Sequence, residues 1–156
     1  MSKYDDIMAQ DGELAAIQVS VRDLVRSFDA LQGITILHEQ ARDLQYMIDQ
    51  AIADIGICAT VLTVSADDDS PGVPELMLDN VYVVIEIRED VLINRAETGL
   101  KIPASKVADI IGRKIKQGMA TTSVIGPHTL VTKKLRMVPG DRGEEHLLIW
   151  HVICQL

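Results

Sequence analysis

The segment Ile57-Cys58-Ala59-Thr60-Val61-Leu62-Thr63-Val64-Ser65 decides the fold. The run is short, rich in β-branched residues and apolar at odd and even positions alike. A strand with one wet face alternates, so a continuous apolar run of this length reads as a central strand. Just before it, Leu44, Met47, Ile48, Ala51, Ile52 and Ile55 recur at steps of three and four. That spacing predicts a helix with Gly56 as its C-terminal cap. Just after it, Asp67-Asp68-Asp69-Ser70-Pro71-Gly72-Val73-Pro74 is a loop. Val81, Val83, Ile85 and Ile87 then alternate with Tyr82, Val84, Glu86 and Arg88, a strand with one face turning polar toward its end.

Further out, Ile34-Thr35-Ile36-Leu37 is a short strand candidate. Ahead of it, Leu14, Ile17, Val21, Leu24, Val25, Phe28 and Leu31 form a helical stripe that Gly33 ends. The helix starts either at Ile7 or, past Asp11-Gly12, at Leu14. On the other side, Asn94 to Pro103 is a second loop, and Pro103 suits the first turn of a helix carrying Val107, Ile110, Ile111 and Ile115. Asp109 early and Arg113, Lys114 and Lys116 late suit that helix's dipole. Leu130 to Val138 and His146 to Gln155 are two strands joined by Pro139-Gly140-Asp141-Arg142-Gly143. The last strand is apolar on both faces and is expected either in the sheet centre or under a partner.

The expected order is α-β-α-β-β-α-β-β. It predicts an α+β fold, a mostly antiparallel sheet with helices packed against it. The expected organisation is one domain over 1–156, with an N-terminal amphipathic helical segment over 1–32 and an α+β core over 33–156.

The 156 residues are 47% hydrophobic and 24% charged, an ordinary globular balance that excludes wholesale disorder. Aromatics are only 3%, so the core is aliphatic and a base-stacking nucleic-acid reader is disfavoured. Fifteen Lys and Arg against 23 Asp and Glu give a net charge of -8, the wrong sign for a counterion-releasing DNA binder. Cys58 and Cys154 sit in apolar runs without CxxC spacing and read as buried thiols of a reducing compartment. Met1-Ser2-Lys3-Tyr4-Asp5-Asp6 lacks an apolar signal region, and no apolar run approaches the about 18 residues of a membrane span. A cytoplasmic protein with no membrane partner is expected.

No motif carries recognisable enzyme chemistry, and the expectation is a non-enzyme without cofactor or metal. Asp67-Asp68-Asp69 lacks the calcium-loop spacing and reads as a solvated loop. Thr98-Gly99-Leu100-Lys101 has one glycine where a phosphate loop needs GxxxxGK[ST]. His38, His128, His146 and His151 have no i, i+4 pair and read as surface or half-buried histidines. Ser123 has no GxSxG context. The N-terminal stripe has two readings: it covers the chain's own sheet, or it packs on a neighbouring subunit.

The segments Ile57 to Val64, Val81 to Ile87, Val91-Leu92-Ile93-Asn94-Arg95 and Thr98 to Ile111 together resemble the tail-terminator or tail-completion proteins of tailed bacteriophages and prophages. The likeness spans roughly residues 34 to 155. Family members often carry a Gly-Thr-Gly-Lys-Thr-like loop where this chain has Thr98-Gly99-Leu100-Lys101-Ile102. The resemblance implies a structural virion protein of the tail and neck, held in the host cytoplasm before assembly. It implies a homo-oligomeric ring, commonly a hexamer, that caps the tail tube and joins it to the head connector. DNA would pass the lumen without sequence-specific binding. Leu14, Ile17, Val21, Leu24 and Phe28 are the candidate interface residues. Asn94 and Arg95 are candidates for an ordered polar contact, one that fixes the loop internally or reaches a neighbour, with a simple turn as the alternative. The competing expectation is a small α+β enzyme or a ligand- or protein-binding domain.

Overall fold

A computed structural model of the chain describes residues 13–67, 80–97, 99–116, 130–138 and 146–155. Helix α1 (Glu13–Arg26) leads through a 3-10 turn (Asp29–Leu31) into β1 (Thr35–His38). Helix α2 (Leu44–Ile55) follows, then β2 (Ile57–Val61), β3 (Ser65–Asp67) and β4 (Asn80–Asp90). The one-turn helix α3 (Val91–Asn94), helix α4 (Ala104–Lys116) and strands β5 (Val131–Val138) and β6 (Leu147–Gln155) complete the order. The strands lie in the order β1-β2-β4-β6-β5, with β3 also beside β4. β1 runs parallel to β2 and every other pairing is antiparallel, so the fold is α+β on a mostly antiparallel sheet.

β2 is buried at all five positions, because helices cover both of its faces. On one face, α1 and α4 pack Ile17, Val21, Val25, Val107, Ile111 and Ile115 onto Ala59, Val61, Val83, Ile85, Ile87 and Val152. A fully buried aliphatic side chain contributes about 1.5–3 kcal/mol, so this layer is the main source of stability. On the other face, α2 sets Ile48 and Ala51 against Leu37 and Cys58 of β1 and β2.

The structure departs from the sequence expectation at three places. The first helix stops at Arg26 rather than Leu31, because Phe28 is extended and the Ser27 hydroxyl donates to the Leu24 carbonyl at 2.5 Å, competing with the helix ladder. Phe28 and Leu31 still reach the core from the 3-10 turn. The expected second loop is preceded by a helical turn, since the Asp90 carboxylate accepts from Leu92 N at 3.0 Å and Ile93 N at 3.3 Å. The run after Val61 breaks, and Ser65–Asp67 pairs separately with Asn80–Tyr82. Asp68, Asp69, the rest of the 67–74 loop, Ser123, His128 and the expected turn at 139–143 lie outside the described residues.

Candidate subunit interface and the polar junction beside it

The α1 stripe covers the chain's own sheet. Ile17, Val21 and Phe28 are buried in the core, and Leu14 and Leu24 pack against it half-buried. A neighbouring subunit could reach the buried three only by lifting α1 off the sheet, so they are core residues and not contact residues. α1 also brings a polar anchor: Gln18, itself buried, donates from Nε2 to the Val61 carbonyl at 3.1 Å.

Asn94 is likewise internal. It is fully buried and ties three segments together. Its Nδ2 donates to Glu89 Oε2 at 2.7 Å and to the Ile102 carbonyl at 2.8 Å, and its Oδ1 accepts from Lys101 N at 3.1 Å. Glu89 is also fully buried, and its other oxygen accepts from Ala104 N at 2.9 Å, at the start of α4. A carboxylate there satisfies an otherwise unpaired amide and faces the positive end of the helix dipole. Arg95, about half exposed, adds a longer contact to Glu89 at 3.4 Å. The loop is thus fixed internally, and Asn94 is closed to a neighbour. The turn is also close-packed: a Cβ on Gly56 would collide with the Asn94 backbone, and one on Gly99 with the Ile93 and Asn94 carbonyls.

Sequence reasoning missed Glu89 and Asp90. Both carried a signal. Glu89 falls on the same face as Val83, Ile85 and Ile87, where a charge must be buried and paired. Asp90 directly precedes Val91-Leu92-Ile93, the signature of a helix cap.

The two edges of the sheet differ. At β1, Glu39 N donates to the Val61 carbonyl, so by alternation Ile36 and His38 turn their carbonyls away from β2. Arg26 donates to the Ile36 carbonyl from Nε at 2.9 Å and Nη2 at 2.7 Å, and Ala41 N donates to the His38 carbonyl at 2.9 Å. This edge is sealed by the chain itself. β5 forms the other edge, bonded on one side to β6, and among the described residues no strand lies beyond it. Six of its eight residues are exposed, including Val131, Leu135 and Met137 among the apolar ones.

On the α2 side of the sheet, His151 Nε2 lies 2.9 Å from Glu86 Oε2, and Arg88 Nε donates to Glu86 Oε1 at 2.6 Å. Burial pushes the Glu86 carboxyl up, but the hydrogen bonds from His151 and Arg88 outweigh it and hold the group below the ordinary 4.5. His38 is buried, contrary to the expected surface or half-buried placement, whereas His146 is exposed, 3.8 Å from Asp90. Burial raises the Cys58 thiol to about 11 and the Cys154 thiol to about 12. A groove of about 430 Å³ runs between α2, α3 and the start of β6, lined by Ile48, Ile52, Ile93, Leu147, Ile149 and Arg88. Among the described residues, no group of three or more His, Cys, Asp or Glu could hold a metal, and no helix is long and apolar enough to cross a membrane.

Compared with protein-family models and with curated proteins, the chain matches none.

Proposed function

We propose that this chain is a structural subunit of a tailed-phage particle, a tail-terminator or tail-completion protein that closes into a ring between tail tube and head connector. The carrying observation is the asymmetry of its sheet edges. Arg26 and Ala41 seal β1, whereas among the described residues no strand lies beyond β5, which presents Val131, Leu135 and Met137. An open edge with exposed apolar side chains is a surface for another chain, and proteins that work alone blunt such edges. A net charge of -8 suits a lumen through which DNA slides without sticking. The virion location, the tube and connector partners and the hexameric count belong to this reading through the family resemblance.

Negative-stain microscopy of the purified chain, alone and added to tail tubes that lack a terminator, tests it. Rings with a central hole, or caps on tube ends, are expected. Featureless particles of protomer size together with bare tube ends would overturn it.

A second reading, a ligand-binding domain, draws on the groove beside α2, whose size falls within the range of small-molecule sites. Its test is binding of an apolar fluorescent dye that Ile52→Trp, by filling the groove, abolishes. Dye binding unchanged by Ile52→Trp would overturn it.

A further inference from the structure

Tyr46, Met47, Leu92, Val131, Leu135 and Met137 are the large apolar side chains exposed among the described residues. All but Leu92 lie on two elements, α2 and β5. These elements stand at opposite ends of the molecule. α2 covers β1 and β2, and β5 is the far edge strand, four strand spacings from β1, or about 19 Å.

The two ends are oppositely charged. α4 and β5 together carry seven Lys or Arg and one Asp, on a chain of net charge -8. In β5, Lys133, Lys134 and Arg136 are all exposed, and among the described residues they form no ion pair. α2 contains Asp49 and Asp54 and no cation, and Asp43 precedes it with Arg42 alongside. All three carboxylates are exposed. Lys134 and Arg136 pair with Ile153 and His151 of β6, opposite in facing to the core residues Val152 and Cys154. They therefore lie on the same side of the sheet as α2.

We infer that the β5 edge of one copy docks against the exposed face of α2 on the next copy, head to tail. Lys134 and Arg136 meet Asp49 and Asp54, whereas Leu135 and Met137, opposite Val152 and Trp150, turn to the α4 side of the sheet and stay outside this contact. This rests on the ring reading and adds which two surfaces touch. A two-fold pairing of β5 with itself would bring the Lys133, Lys134 and Arg136 segment of one copy beside that of the other, and like charges facing across a ladder are destabilising. Continuing the sheet onto β1 is blocked by Arg26 and Ala41. A contact between two different patches is heterologous, and it closes into a ring when its rotation divides a full turn.

Charge exchange on the full chain tests the inference. One variant carries Lys134→Glu with Arg136→Glu, the other Asp49→Lys with Asp54→Lys. Circular dichroism and thermal melting establish that both fold, and sedimentation velocity reads the assembly. Each variant alone is expected to associate about tenfold or more weakly than the parent, and an equal mixture is expected to regain the parent's mass. Parent association is also expected to weaken as salt rises, because the charges are surface groups. Variants that assemble like the parent, a mixture without rescue, or association indifferent to salt would each overturn the docking surfaces and leave the ring reading standing. A parent that stays a protomer at every concentration would overturn the docking surfaces, and with bare tail-tube ends it would overturn the ring reading as well.

Discussion

The Arg26 guanidinium closes the outward carbonyl of Ile36, with Nε at 2.9 Å and Nη2 at 2.7 Å. One side chain from the end of α1 thereby does the work of a neighbouring strand. Arg26→Ala is expected to cost about 1–2 kcal/mol, since hydrogen bonds from a charged donor are worth more than neutral ones. For a chain of this size that lowers Tm by about 2–8 °C. It also frees an edge, so the variant is expected to aggregate at concentrations where the parent stays clear. Melting followed by both ellipticity and light scattering checks the two effects. An unchanged melt would remove the seal from the account.

Asn94 and Glu89 form the buried centre of the β4–α4 junction. Asn94→Ala removes the donor to the Ile102 carbonyl and leaves Glu89 Oε2 with only the 3.4 Å Arg95 contact, while Lys101 N keeps the Asn94 backbone carbonyl, and is expected to cost about 2–3 kcal/mol. Asn94→Asp has almost the same shape but sets a second carboxyl against Glu89. It is expected to be the worse of the two, because an added like charge is buried rather than a bond merely lost. Denaturant unfolding of the pair orders them.

The Glu86 carboxyl titrates below its ordinary 4.5 in the folded chain. A depressed carboxyl contributes stability that is fully present above the unfolded value and is lost as pH falls through the folded one. The parent is therefore expected to lose stability progressively below about pH 5. Glu86→Gln is expected to be less stable at neutral pH and to show a shallower acid limb. Denaturant midpoints from pH 7 down to pH 3 measure the difference, and parallel curves would contradict it.

Burial holds the Cys58 thiol near 11 and the Cys154 thiol near 12, so neither is a thiolate at neutral pH. Both are expected to resist a thiol reagent in the folded chain at pH 8 and to react together once denaturant unfolds it. A fast-reacting thiol under native conditions would place one of them at the surface.

The elements with strong periodicity were legible in the sequence, and the proposed interface was not. Ile57–Val61 reads as a doubly covered strand because burial on two faces leaves no polar alternation. Gly56 reads as a cap because its φ of 79° is left-handed. The α1 stripe was ambiguous for a physical reason. A face that packs on its own sheet and one that packs on a neighbour carry the same spacing of Ile17, Val21 and Phe28. Only the position of β1 and β2 beneath α1 decides between them. The inward turn of Asn94 is equally invisible, since its partners Ile102 and Lys101 are backbone groups that any residue could offer. The contrast between a sealed β1 and an open β5 depends on strand order, which local pattern does not encode.

The most direct test of the account is the native mass of the full chain, by light scattering after size exclusion, over a concentration series from micromolar to millimolar. A fixed multiple of the protomer, six by the family resemblance, is expected to hold as concentration rises, because a closed ring leaves no open end. A protomer mass at every concentration together with bare tail-tube ends would contradict it, and so would a mass that grows without limit.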